Sequence, residues 1–347
     1  MIKSLFFSLF MGVTLTLGMF AAIAQDIHYN PLNTSPLSLN PAFAGMFDGQ
    51  IRAGVIYRNQ WSDASVPYIT YGCSVDFPVY TFKNGSFFAG GVHLLKDEAG
   101  DGNLTNFTGA LTVAYHKTFS AFSKDKKKNS DLAIGFQGAY SQKSIDLSKI
   151  YFGDEFSHGY FIPGIGPYPL GFGNHISYYF INAGISFDYS VTSRFNYTIG
   201  FSGYNLNQPN DAIEKKQNNQ MGLNAQWTGV LIANWNVAKK ITIQPALIYQ
   251  NTSDASYAIL GSDFRINTSG KTIVSSAFIG GWYRTGDMFT LTGGIQLQAF
   301  HIGFSYDYAI ATVNSSANGT GGFEVHVKCI VPKSKHSAHK KHTSVNK

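Results

Sequence analysis

Phe300-His301-Ile302-Gly303-Phe304-Ser305-Tyr306-Asp307-Tyr308 reads as two interleaved sets. Phe300, Ile302, Phe304, Tyr306 and Tyr308 are apolar or aromatic, while His301, Gly303, Ser305 and Asp307 between them are polar or small. Side chains of an extended strand point to opposite faces with period two, so this segment has one greasy face and one polar face. The pattern recurs in both directions. Downstream, Phe323, Val325, Val327 and Cys329 alternate with Glu324, His326 and Lys328. Upstream, Ile181, Ala183, Ile185, Phe187 and Tyr189 alternate with Asn182, Gly184, Ser186, Asp188 and Ser190, and Tyr71, Cys73, Val75 and Phe77 alternate with Gly72, Ser74 and Asp76. Such segments begin near Ile51, Pro67, Ser86, Thr105, Asp131, Ile176, Arg194, Gly222, Ile241, Ser256, Lys271, Met288, Ala299 and Gly321. That makes about 14, an even number as in single-chain bacterial barrels.

A soluble antiparallel sandwich also alternates. Three features select a membrane barrel instead. Segments often run about nine residues or more, the length a tilted membrane strand needs. The apolar face is rich in Tyr and Phe. The polar face carries Gly, Ser, Asn, Gln and isolated charges, as a wet or plugged lumen does. Charged residues are only 13% of the chain, against roughly 25% in soluble domains, so little of the surface is built to face water. After the N-terminus no run approaches the ~20 apolar residues of a membrane helix, so a spanning chain must close into a barrel. The expected fold is all-β, an antiparallel transmembrane β-barrel in the cell outer membrane. Tyr306 then faces lipid and Asp307 the lumen.

Residues 1–24 read as a cleaved signal peptide. Lys3 supplies the positive start, Leu5 to Ile23 the apolar run, and Ala22-Ile23-Ala24 the small-residue cleavage pattern before Gln25. Residues 25–50 form an N-terminal segment, 51–331 the barrel, and 332–347 a short basic tail with His336, His339 and His342 among its lysines. Removing Lys3 and the five tail lysines from the 26 basic residues leaves 20 against 20 acidic ones. The body is neutral, which argues against nucleic acid as a partner.

No catalytic constellation emerges. His301 and Asp307 share a strand face, but no Ser is brought to them, so an enzyme is not expected. Asp97, Glu98 and Asp101 lack the spacing of a calcium loop and read as a polar turn. Gly164-Ile165-Gly166 lacks the third Gly of a dinucleotide fingerprint. Neither a cofactor nor a metal is expected. Cys73 and Cys329 fall on apolar faces, where free Cys acts as a small hydrophobe.

Two other regions stand out. Arg52, Arg58, Asp76, Asp188 and Glu324 lie on polar faces, either lining a channel or pairing with one another in a plugged barrel. Pro31, Pro36 and Pro41 forbid a regular helix over residues 26–47, and Leu32, Leu37, Leu39, Phe43 and Phe47 add more apolar surface than a solvated linker carries. This predicts an extended periplasmic strap packed at or inside the barrel, with Arg58 and Trp61 as anchors by position.

Several patches resemble one family, the PorP/SprF membrane proteins of the type IX secretion system. Tyr29-Asn30-Pro31-Leu32 and Leu39-Asn40-Pro41-Ala42-Phe43-Ala44-Gly45 are similar to its N-terminal "NPL…LNPAFAG" signature. Tyr57-Arg58-Asn59-Gln60-Trp61 resembles its "YRNQW" patch, and Gly303-Phe304-Ser305-Tyr306-Asp307-Tyr308 its "GYSYDY" strand. Gly322-Phe323-Glu324-Val325 stands where the family closes with "SHEI". The resemblance implies a barrel serving a secretion and gliding-motility machine. Its partners would be a secreted adhesin or its C-terminal domain, periplasmic secretion-machine components and outer-membrane lipid. The partner or lumen candidates are Asn30, Pro31, Asn40, Pro41, Arg58, Trp61, Asp76, Asp307 and Glu324. The alternative is an outer-membrane channel or transporter for small or hydrophobic solutes.

Overall fold

The computed structural model describes residues 35–61, 66–119, 130–150, 156–157, 160–161, 173–213, 222–253, 255–268, 273–286, 288–310 and 320–333. The signal segment, Asn30, Pro31 and the tail histidines lie outside the described residues.

The strands are β1 (Ile51–Gln60), β2 (Tyr68–Thr81), β3 (Phe87–Ala99), β4 (Leu104–Phe119), β5 (Ser130–Ser144), β6 (Phe156–Ser157), β7 (Tyr160–Phe161), β8 (His175–Thr192), β9 (Phe195–Tyr204), β10 (Gln226–Ala238), β11 (Ile241–Asn251), β12 (Ser256–Asn267), β13 (Val274–Arg284), β14 (Met288–Leu297), β15 (Phe300–Ala309) and β16 (Thr320–Val331). All but β6 and β7 form one closed barrel of 14 antiparallel strands, each paired with its neighbour. The circle closes where β1 meets β16, with Ile51 opposite Val331 and Arg58 opposite Glu324. Closure leaves no unpaired strand edge for lipid to face.

Burial follows the alternation. On β15 the pattern is strict: His301, Gly303, Ser305, Asp307 and Ala309 are buried, and Phe300, Ile302, Phe304, Tyr306 and Tyr308 are exposed. The outer wall is a belt of exposed apolar side chains, with Leu111 at 68% and Ile279 at 66%. A soluble surface does not carry so much contiguous apolar area; a lipid-facing wall does. Cys73 is exposed on this wall, Cys329 is half-buried, and both are free.

Most strand starts fall within a residue or two of their sequence expectation. The clearest exception is β10, which begins at Gln226 rather than Gly222. Gly222 makes an isolated bridge to Asn210, and the Leu223 N–H donates to the Pro209 carbonyl, so these residues pair with each other before the chain enters the sheet at Gln226. The long irregular stretch after β5 also contains a short hairpin, β6 with β7.

The two ends differ. At the end that holds Ile51 and Val331, the pairs Ser193–Arg194, Lys239–Lys240 and Gln298–Ala299 suffice as turns between strands. The opposite end carries the two longest connections, 145–174 and 205–225. Short turns face the periplasm and long loops the outside in barrels of this kind.

Candidate functional site

The lumen is not empty. The chain from Ser35 to Gly45 folds back inside the wall as two 3-10 turns, Pro36–Ser38 and Pro41–Phe43. Each has Pro in its first turn, where the missing N–H costs nothing. Leu37, Leu39, Ala42 and Ala44 are exposed by 1% or less, and Phe43 by 4%. Burying a Leu or Phe side chain stabilises by about 1.5–3 kcal/mol each, so this segment is held, not resting. Leu39 and Phe43 pack with Val230 and Ile248, and Leu37 and Ala44 with Ala89 and Ala114.

Each residue of Asn40-Pro41-Ala42-Phe43-Ala44-Gly45 has a physical task. Asn40 caps the second turn: its Oδ1 accepts the Ala42 N–H at 2.8 Å. Its Nδ2 donates to the carbonyls of Ile185 at 2.9 Å and Phe201 at 3.3 Å on adjacent strands. Pro41 and Ala42 lie against Gly135 so closely that a Cβ there would strike their backbone, and a Cβ on Gly184 would strike Asn40. The Phe43 carbonyl accepts Arg52 Nη2 at 3.0 Å, and the Ala44 carbonyl meets His116 Nε2 at 2.7 Å. Gly45 adopts φ +74, a left-handed conformation that favours glycine, and its N–H donates to Asp76 at 2.7 Å.

Arg52 and Asp76 form the clamp beneath this plug. The guanidinium makes two 2.8 Å bonds to the carboxylate and lies 4.8 Å from the Phe47 ring centroid. Such a bidentate pair fixes direction as well as distance. Arg52 therefore anchors the described part of the N-terminal segment, a role that the reading by sequence position gave to Arg58 and Trp61.

Arg58 does something else. It bridges the barrel seam, donating through Nη1 to Glu324 at 3.1 Å and through Nη2 to Asp307. All three side chains are exposed by 4% or less. Thr290 Oγ1 donates to the other Asp307 oxygen at 2.6 Å. His301, on the same face of β15 as Asp307, stacks between Phe278 at 4.9 Å and His326 at 5.7 Å. Among the described residues no group of three His, Cys, Asp or Glu could hold a metal ion. The Asp97-Glu98 region is a strand end, with Thr70 Oγ1 donating to Asp97 at 2.5 Å and Lys96 2.5 Å from Glu98.

Above the plug, towards the long loops, the lumen widens into a vestibule of about 560 Å³. Trp61 stands in its wall with φ 62, a left-handed conformation costly for a bulky residue, of order 1–3 kcal/mol. Its N–H is tied to the Gly321 carbonyl at 3.0 Å. The sequence pointed to Asn40, Pro41, Arg58, Trp61, Asp76, Asp307 and Glu324. The structure divides them among the plug, the clamp, the seam cluster and the vestibule. It adds His116 and the lumenal glycines 135 and 184, whose signal was their place on the polar faces of alternating strands.

Residues 21–328 match the family described as type IX secretion system membrane protein PorP/SprF. The chain belongs to that family. No curated protein matches it. Among solved structures it is similar to the Ralstonia pickettii toluene transporter TbuX, at 11% identity and TM-score 0.46, over 85% of this chain and 91% of that one. A Pseudomonas aeruginosa FadL homologue matches at 10% identity and TM-score 0.46, over 83% and 91% of the two chains. The Acinetobacter baumannii outer membrane protein Omp33 matches at 7% identity and TM-score 0.38, over 82% and 98%. Likenesses this distant carry no argument about cargo or ligand. The PorP/SprF chain is an outer-membrane barrel of the secretion family, a class whose members are not typically enzymes.

A substitution that fills the plug's seat tests the sealing role. Gly135→Val suits a β-strand but collides with Pro41 and Ala42. It is expected to expel the segment, expose residues 35–47 to protease and open a stable conductance in planar bilayers. A variant as silent and as protected as wild type would show that the plug does not seal the barrel.

Proposed function

We propose that this barrel is a non-enzymatic docking component of the type IX secretion machinery, supporting export or surface attachment of large adhesin-type proteins. The observation that carries the reading is the lumen filled by the protein's own N-terminal segment. A wall that spends hydrogen bonds from β1, β2, β4, β8 and β9 on holding a plug is arranged as a scaffold rather than a solute path. Family membership supports the machine it serves. Secreted adhesin C-terminal domains, periplasmic machine components and outer-membrane lipid are its proposed partners, and gliding motility is the proposed cellular process.

Affinity purification of the tagged protein from envelopes, read by mass spectrometry, tests this. The expected result is co-purification of secretion-machine proteins and at least one large exported protein, with that protein lost from the surface when the barrel gene is deleted. Isolation without them, together with a large open conductance of the wild-type protein, would support a solute channel instead.

A further inference from the structure

We propose that the vestibule above the plug is a binding site for a neutral oligosaccharide presented from the long-loop side of the membrane. This rests on the cavity's own chemistry and does not depend on the secretion reading. About 560 Å³ lies within the ~300–1,000 Å³ of small-ligand pockets, room for a short saccharide.

The lining has two kinds of group. Aromatic rings come from Trp61, Tyr68 and Tyr257, and amides from Asn106, Asn224, Gln226 and Asn251 among others. A sugar ring has an apolar C–H face and a rim of hydroxyls. Aromatic faces suit the first, and amides, which both donate and accept, suit the second.

The charges in the wall are already engaged. Lys143 pairs with Asp211 at 2.5 Å, and Asp97 accepts from Thr70 at 2.5 Å. Glu98 pairs with Lys96 at 2.5 Å. The Arg284 guanidinium lies 5.9 Å from the Tyr257 ring centroid, with Nη2 3.7 Å from the Met288 sulfur. The carboxylates and cations of the wall lie close to one another, so opposite charges offset within it, and a neutral ligand disturbs none of these contacts.

The rings are also held in place. The Trp61 backbone is locked by its bond to Gly321, and the Tyr257 hydroxyl donates to Gln250. Preorganised aromatic faces bind without losing much side-chain freedom, which matters for weakly held ligands such as sugars.

The full-length protein in detergent micelles is applied to an array of neutral and acidic glycans, and the best neutral trisaccharide is titrated by calorimetry. A pool of neutral tripeptides serves as the competing probe. The expected result is saturable one-to-one binding of a neutral saccharide, weakened at least ten-fold by Trp61→Ala and by Gln226→Ala. Both variants must keep the heat-modifiable gel migration of a folded barrel; Trp61→Phe, which retains a ring, should restore part of the affinity. The proposal is overturned if no saccharide on the array saturates, if acidic glycans or the tripeptides bind in preference, or if folded Trp61→Ala and Gln226→Ala bind as wild type does.

Discussion

Arg58→Ala is expected to cost the barrel about 3–5 kcal/mol of folding free energy, because it removes the guanidinium that two buried carboxylates share. Arg58 is the shared partner of Asp307 and Glu324, and the exposure of the three side chains is 3%, 4% and 1% respectively. Glu324 also has His326 nearby, 3.8 Å away and charged only when protonated, which offsets little of the loss. The penalty comes from keeping two carboxylates buried without their guanidinium rather than from losing an attractive contact. Adding Asp307→Asn and Glu324→Gln to the Arg58→Ala chain should therefore restore much of the stability. Arg58→Lys should fall between, since a point-like ammonium cannot fork to two carboxylates. Asp307→Asn alone should also be costly, because Asp307 pairs with a lumenal arginine. Urea titration in lipid vesicles, followed by tryptophan fluorescence and gel migration, reads all of these. A single variant within 1 kcal/mol of wild type would mean that water solvates the seam cluster freely.

Tyr306→Arg should cost roughly 2–4 kcal/mol if the site lies near the bilayer midplane. Tyr306 is 39% exposed on the outer face, beside Leu291 on β14 and Phe323 on β16. An arginine there must reach through hydrocarbon to the headgroups. The same residue placed one position away, at the lumenal Ser305, would meet the Glu324 side of the seam instead. Tyr306→Phe, which keeps the ring and loses only the hydroxyl, should fold as wild type. Equal unfolding midpoints for Tyr306→Arg and wild type in the same vesicles would refute the outward assignment of β15.

The alternation around residues 300–308 was enough to assign faces, because side-chain period two is a local property of an extended backbone. That is why the faces of Tyr306 and Asp307 follow from the alternation alone. The start of β10 was less legible, since Gly222 continues the composition of a strand but is captured by Asn210 across the loop. The N-terminal segment was legible as apolar and proline-broken, but its described part coils into two 3-10 turns rather than running extended. Its seat was not legible, because Asn40 finds its acceptors at Ile185 and Phe201, 145 and 161 residues further along the chain. Arg58 and Trp61 were natural anchor candidates by proximity in sequence. Arg52 took the role because β1 brings it level with Asp76 across β2, where the Phe43 carbonyl and the Gly45 N–H arrive.

By itself the amino-acid sequence determined the strands, their two faces, the barrel they must close into and the family they belong to. Those properties follow from local periodicity, composition and short motifs, and from the rule that lipid tolerates no unpaired backbone. Only the tertiary structure decided that the lumen is plugged, which arginine clamps the plug and which carboxylates Arg58 neutralises. Those choices depend on contacts such as Arg58 with Glu324, 266 residues apart in the chain and adjacent only once the first and last strands have met.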